Sequence, residues 1–384
     1  MKKIIIGYVS TNDPFHDKVA WSGLIYKIRE SIEQAGFDVR WIPLTLKGKV
    51  LLWRLILKLY NRTIGRKNQW LEGPHFLPIV KIWGKNIVCN PAIKECDYLF
   101  FPHCAQASLY AGHIPPVIYY ADATAHLMID YYWFNLCTAS RKMALDLEQR
   151  ATRKALINIR SSNWAANSVI NDCSCNECYV LEFGPNIKTE AIQRNAPYEK
   201  GELRILFSGV DWKRKGGDIA VATVERLREK GVNALLVVAG PREEPNSCIG
   251  KKYVEFVGFL NKNNSEDYKR YVSLYEHSHI FLLPTLAECA GVVFSEASAF
   301  GLPIYTYLTG GTGDYVVNGQ NGYALPLNST AEDFSNIIYD NVQNHTLSKL
   351  REETIRLNKE KLSWEAWASR FRLIMEKLDE KRTN

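Results

Sequence analysis

Residues Pro284 to Pro303 read PTLAECAGVVFSEASAFGLP. They follow an apolar run, His279 to Leu283, that has the look of a buried strand, and they carry Glu288 and Glu296 eight positions apart with Gly291 between them. A helix beginning near Ala290 would leave its first N–H groups, those of Gly291 to Val293, without intrahelical partners. Those amides and the helix dipole make an anion site, and Gly291 would let the anion come close to the backbone. Glu288 lies before the helix and Glu296 inside it, so the two acids straddle that site at about 10 Å, from the rise of 1.5 Å per helical residue.

Carboxylates accept hydrogen bonds well from sugar hydroxyls. A nucleotide-sugar fills this arrangement, with its sugar at Glu288, its diphosphate at the turn and its ribose at Glu296. The plainer alternative is a helix with one capping and one surface glutamate. A second stretch, SGVDWKRKGGD from Ser208 to Asp218, also leaves a strand and opens a helix. Lys213, Arg214 and Lys215 stand there at the carboxyl end of the strand, where open α/β sheets bind ligands. A diphosphate needs such cations, which also stabilise it as a leaving group; a solvated basic loop is the alternative. The loop has neither the G-x-G-x-x-G of dinucleotide dehydrogenases nor a Walker P-loop.

Working outward, the first half alternates strand-like and helical patterns: strands at Lys3–Val9, Phe37–Ile42, Asp97–Pro102, Pro116–Ala121, Ile157–Ser161 and Cys178–Phe183, with helical spacing over Trp21–Ala35 and Tyr131–Ala155. A polar segment with two prolines, Gly184 to Glu202, reads as a linker. The pattern then restarts with strands at Leu203–Val210, Ala234–Gly240, Val254–Leu260, His279–Thr285 and Pro303–Leu308. Strands alternating with helices imply parallel sheets covered on both faces, here two Rossmann-like domains facing a cleft. The expected boundaries are 1–186, 187–362 and a final helix over 363–384.

A chain of 384 residues with 46% hydrophobic residues suits two packed domains. No apolar run reaches the length of a membrane span. MKKIIIGYVSTND at the N-terminus reads as a first strand rather than a signal peptide, its apolar run being short. Nine scattered cysteines suggest free thiols and a cytoplasmic location. CSCNEC, Cys173 to Cys178, offers three thiols but no evident fourth ligand for zinc. The net charge of +7 is concentrated: between Thr45 and Asn90 nine Lys and Arg stand against one acid, Glu72. Within that region, Lys47 to Lys67 places Leu52, Leu55, Ile56 and Leu59 on one helical face and Arg54, Lys58 and Arg62 on another. Such a helix suits peripheral contact with the inner face of a membrane, or else an ordinary domain helix with a basic edge. No nucleic-acid-binding module surrounds it.

ECAGVVFSE matches the E-x7-E signature of retaining glycosyltransferases of family 4, which have the GT-B fold. SGVDWKRKGGD, VEFVGFL and GGTGDYVVNGQNGYAL resemble the other C-terminal blocks of that family in order and spacing. VLEFGPN resembles its interdomain segment, YYADAT and RSSNWAANS one of its branches, and LSWEAWASRF its last helix, which in GT-B proteins crosses back to the first domain. The resemblance implies a metal-independent transfer, with retention, of a sugar from a nucleotide-diphosphate sugar to a saccharide or lipid-linked saccharide, without a cofactor. Domain closure would exclude water. Two other readings stay open: a nucleotide-sugar epimerase, which the E-x7-E pattern disfavours, and a non-catalytic sugar-nucleotide-binding module, which the intact Glu288, Glu296 and Lys215 disfavour.

By the same resemblance Glu296 holds the ribose and Glu288 contacts the transferred sugar and its phosphate. Backbone N–H groups of Ala290, Gly291 and Val292 and the side chain of Lys215 hold the diphosphate, Cys289 counts with them among the donor-binding residues, and Phe259 and Leu260 border the base. Gly209 is followed by Val210 where many members have Arg, so Lys213 or Arg214 would supply the second cation. Asp122 occupies the place of a frequent histidine and is the candidate for acceptor orientation or proton handling; His126 nearby reads as structural. Ser22 and Gly23, in AWSGL, form the expected loop toward acceptor or phosphate, edged by Asp13 and His16, unless Ser22 merely caps a helix.

Overall fold

The computed structural model describes residues 3–188, 192, 194 and 197–383. The polar 184–202 segment therefore falls partly outside the described residues, at 189–191, 193, 195 and 196, as do Met1 and Lys2 of the N-terminal run. The chain packs as two compact units, residues 1–181 with 367–384, and residues 182–366.

The first unit holds six parallel strands: β1 (Ile5–Ser10), β2 (Asp38–Pro43), β3 (Tyr98–Pro102), β4 (Val117–Ala121), β5 (Ile157–Arg160) and β6 (Tyr179–Val180), in the order β2-β1-β3-β4-β5-β6. Every residue of β3 (YLFFP) and β4 (VIYYA) is buried. This is why the two strands read as unbroken apolar runs: helices cover both faces of a parallel sheet, so neither face can be polar. The helix Trp364–Thr383 returns to this unit from Trp367 onward. Trp367 and Phe371 are fully buried and stack at 4.9 Å, and the Trp367 indole N–H donates to the Tyr120 hydroxyl at 3.3 Å. Phe371 meets Phe37 and Phe100 edge-on, and Arg372 Nε donates to the carbonyl of Ala35 at 2.7 Å.

The second unit repeats the plan with β7 (Leu203–Ser208), β8 (Ala234–Ala239), β9 (Val254–Gly258), β10 (Ile280–Leu283), β11 (Ile304–Tyr307) and β12 (Gly322–Leu325), all parallel, in the order β12-β11-β10-β7-β8-β9. β12 has no counterpart among the strands expected from the sequence, because its four residues lie in a glycine-rich stretch. Two expected helices begin later than their periodicity suggests. Trp21 and Ser22 adopt φ of 52° and 56°, so that helix begins at Leu24. Asp130 and Asn135 are also left-handed, so the long helix starts at Thr138, not Tyr131. Left-handed residues cannot continue a right-handed helix. The strand expected over Cys178–Phe183 is reduced to Tyr179–Val180.

Burial holds three imidazoles below their usual range: His75 at about 3, lowered further by the charge of His103; His103 at about 4; and His279 at about 4, lowered further by Arg204 and Arg351. A depressed histidine pKa means that the unfolded chain binds the proton more tightly. Their stabilising effect is therefore full above the unfolded value near 6.5 and is lost as pH falls toward 4. The thermal midpoint should stay flat between pH 7 and 8 and fall steadily from pH 6.5 to 4. Trp367→Ala should destabilise the first unit by about 3–5 kcal/mol, measured by denaturant unfolding, since it empties a filled core site.

Candidate functional site

In the second sheet, β7 leads to β8 on one side, while β10 lies on the other side of β7 and leads away to β11. The connections thus part between β7 and β10, at the topological switch point where an open sheet leaves a crevice at the carboxyl ends of its strands. The two loops that border this crevice are Gly209–Gly216, after β7, and Pro284–Gly291, after β10.

Their main chains are locked together. Asp211 to Gly216 winds into a turn in which Lys215 N–H donates to the Asp211 carbonyl at 2.9 Å. Leu286 N–H donates to the carbonyl of Arg214 at 2.8 Å, and Arg214 Nη1 donates to the carbonyl of Ala287 at 2.9 Å. Gly216 has φ of 72°, and a Cβ there would collide with the carbonyl oxygen of Pro284, so only glycine lets the loops approach this closely. The result is the ion pair between Lys215 Nζ and Glu288 Oε2, each side chain only 12% exposed. The carbonyl of Glu288 also accepts from Gly311 N–H at 3.0 Å, which ties the loop after β10 to the one after β11.

Four residues beyond Glu288 the helix Val292–Phe300 begins, two residues later than its sequence suggests, with Gly291 as N-cap and no side chain capping it. Its first-turn amides are the unpaired donors of any helix start. A Cβ on Gly291 would strike the ring of Phe294, so the glycine is demanded by the helix's own packing as well as by any ligand. Glu296, one turn further, is completely buried. Its Oε1 receives Lys262 Nζ at 2.7 Å, and its Oε2 receives the hydroxyls of Tyr271 at 2.6 Å and Tyr275 at 3.1 Å. Burial, reinforced by the charge of Glu296, pushes both phenols well above their usual range, so they stay protonated donors. The plainer alternative of a surface glutamate does not describe Glu296.

The other expected donor-side residues divide. Phe259, after β9, is 42% exposed and lies under the guanidinium of Arg242 at 4.6 Å, with Leu260 beside it. Cys289 and Ala290 are buried within the turn. Of the two candidates for a second cation, Arg214 is held in the crevice by the Ala287 carbonyl. Lys213 is 83% exposed and pairs with Asp218 at 2.6 Å, on the neighbouring helix. The sequence reading missed Lys262, Tyr271, Tyr275 and Arg242. The i, i+4 spacing of the two tyrosines was a legible sign of a shared helical face; nothing local marks Lys262.

The first unit has its own switch point, between β1 and β3. Trp21, Ser22 and Gly23 after β1 are three consecutive left-handed residues, and Gly23, not Ser22, is the N-cap of the helix Leu24–Gln34. The Trp21 ring packs on His103, the residue after β3, at 4.0 Å, and its indole N–H donates to Asp122 Oδ2 at 3.2 Å. His103 is itself left-handed, with φ of 48°, and its backbone N–H donates to the Tyr120 carbonyl at 2.8 Å. Strained non-glycine residues concentrate at functional sites, and His103 and Trp21 were both overlooked in the sequence. Asp13 and His16 pair with each other at 2.9 Å at the edge of this loop. A cavity of about 500 Å³ opens here, lined among others by Asn12, Trp21, Trp83, His103, Arg54 and Glu72. Among the described residues no cluster of three or more His, Cys, Asp or Glu side chains is placed to hold a metal ion; Cys173, Cys175 and Cys178 are free thiols.

Comparison with known proteins finds a family model, relatives and solved structures that resemble this chain. Residues 188–361 match the model of the glycosyl transferases group 1. The capsular polysaccharide biosynthesis glycosyltransferase CapM of Staphylococcus aureus is 29% identical over 189 residues, 45% of this chain and 49% of that protein. The chain spans between 39% and 49% of the length of this relative and of the glycogen synthase of Mycobacterium tuberculosis. Among solved structures, sucrose-phosphate synthase from Thermosynechococcus elongatus superposes with a TM-score of 0.69 at 15% identity, covering 99% of this chain and all of that one. Anabaena HepE, solved in complex with UDP and glucose, superposes at 0.62 and 14% identity, covering 98% of this chain and all of that one. The chain has the GT-B fold, and the match to the glycosyl transferases group 1 lies in its second unit.

Proposed function

We propose that the chain is a retaining glycosyltransferase that moves a sugar from a nucleotide-diphosphate sugar to a saccharide or lipid-linked saccharide, without a dedicated metal ion. The observation that carries this reading is the Lys215–Glu288 ion pair at the β7/β10 crevice, four residues from a helix start that no side chain caps. A pyrophosphate entering there gains the lysine and the first-turn amides around Gly291 and Val292, and releases Glu288 toward the hydroxyls of the sugar. Glu296, already ringed by donors, exchanges its Lys262 contact for the ribose hydroxyls, and Phe259 and Leu260 border the base. The group 1 family match and the complex of HepE with UDP and glucose support a sugar-nucleotide donor.

In the reaction, the bond from the anomeric carbon to the diphosphate breaks. Lys215 and the helix start hold the negative charge that develops on the departing oxygen. The acceptor hydroxyl attacks from the same face, and its proton passes to that phosphate oxygen. Arg214, which donates to the Ala287 carbonyl and pairs with Asp211 at 3.5 Å, is the second cation by position, whereas Lys213 is largely exposed and pairs with Asp218 on the neighbouring helix. Asp122, held by Trp21, is the acceptor-orienting group of the first unit, and the Ser22–Gly23 turn frames the same loop.

A donor panel of UDP-, GDP- and ADP-sugars, read by nucleotide release, tests the activity; silence across the panel contradicts it. Glu288→Ala should lower turnover by at least about 100-fold with an unchanged circular dichroism spectrum, and Lys215→Ala should lower kcat/KM by a similar factor. Turnover of Glu288→Ala at the wild-type rate removes the assigned role. Glu296→Gln should mainly raise the donor KM, the pattern expected for a group that binds ground and transition state alike.

A further inference from the structure

The helix Lys49–Arg62 does not bury the leucine face that its sequence offers to a core. Its buried side chains are Val50 and Leu57, and Trp53 on the same side meets Phe76 at 5.4 Å. At about 100° per residue, Leu52, Leu55, Ile56 and Leu59 lie on the opposite side. They are 57%, 56%, 45% and 67% exposed. A monomeric soluble protein rarely leaves such a contiguous apolar row in water. Beside the row runs a groove of about 550 Å³, lined by Leu51 and Leu55 together with Arg54, Lys58 and Arg62. Arg54 pairs with Glu72 at 3.0 Å, and Glu72 is the one acid in the segment from Thr45 to Asn90, against nine Lys and Arg.

We propose that this outer face docks the chain on an anionic phospholipid bilayer. The leucine row enters the boundary between headgroups and acyl chains, and the groove receives a lipid phosphate between Lys58 and Arg62. The charge pattern chooses this occupant. A surface that is apolar along its centre and cationic along its flank matches a sheet of negative headgroups over hydrocarbon. A second copy of the same surface would bring like charges together. Arg54 and Glu72 also line the first unit's cavity beside Trp21 and His103. A saccharide carried on a membrane lipid would therefore meet that cavity at the foot of the docked helix. This last step rests on the acceptor assignment above; the docking itself does not.

Flotation of the full chain with vesicles of phosphatidylglycerol and phosphatidylcholine, against phosphatidylcholine alone, is the test. The chain should float with the anionic vesicles only and be released as salt screens the contact. Lys58→Glu/Arg62→Glu should lower partition at least tenfold, and so should Leu55→Ser/Leu59→Ser, both with wild-type thermal midpoints because these side chains face outward. Equal partition to both vesicle types, or none, overturns the proposal. So does a wild-type dimer that Leu55→Ser/Leu59→Ser splits in sedimentation. Thermal stabilisation by UDP, GDP or ADP, measured on the same variants, is independent of docking: nucleotide binding without flotation refutes the surface alone, and flotation without stabilisation by any of the three refutes the donor assignment alone.

Discussion

In a parallel sheet whose connections run outward in both directions from one pair of strands, the carboxyl ends of that pair have no crossing helix above them. β7 and β10 are that pair in the second unit, and the loops after them must satisfy their own backbone groups. They do so on each other, through Arg214 with Leu286 and Ala287, and the absence of a Cβ at Gly216 permits the approach. Lys215 and Glu288 are thereby forced into contact in a largely dry place. Two charges so placed stabilise each other but are costly to separate unless a ligand replaces the contact. A pyrophosphate offers the lysine better compensation than a single carboxylate does, and sugar hydroxyls offer the freed glutamate donors in return.

Glu296 shows the same economy at greater depth. A carboxylate with no solvent exposure persists only when its oxygens are hydrogen-bonded, and here Lys262, Tyr271 and Tyr275 all donate to it. The tyrosines are fixed in the core and protonated, so they orient the carboxylate rigidly. Lys262 comes from the loop after β9, its side chain is 33% exposed, and its ammonium also lies 4.1 Å from the ring centre of Tyr271. Of the three donors it is the one whose withdrawal costs least, because water can solvate it at once.

Much of this was legible in the sequence because the informative features are local. Buried parallel strands are continuous apolar runs, and a glutamate pair around a glycine turn spans one strand end and one helix start. What was not legible depends on distant partners or on backbone handedness. The leucine row at 52, 55, 56 and 59 has the spacing of a core face, yet the core is reached by Val50, Trp53 and Leu57, because those residues meet Phe76 and its neighbours. Trp21 and Ser22 have ordinary helical preferences; only the fold makes them left-handed. His103 follows an apolar strand as any loop residue might, and its importance appears only when Trp21 is brought onto its ring. Likewise Lys262 looks like one surface lysine among many until Glu296 is seen buried beneath it.

The two switch points have opposite chemical characters, and this follows from what each loop places at the strand ends. After β7 and β10 stand cations, a carboxylate and a helix start, a set that stabilises a leaving anion. After β1, β3 and β4 stand an indole, an imidazole that burial keeps neutral near pH 7, and the carboxylate of Asp122 held by that indole. Flat aromatic surfaces pack against the apolar faces of sugar rings, and a neutral imidazole with an oriented carboxylate can accept hydrogen bonds from hydroxyls without attracting a diphosphate. A single fold used twice thus supplies one crevice suited to the charged half of a transfer reaction and one suited to the uncharged half. The difference lies in a few side chains at the ends of five strands, not in the sheets that carry them.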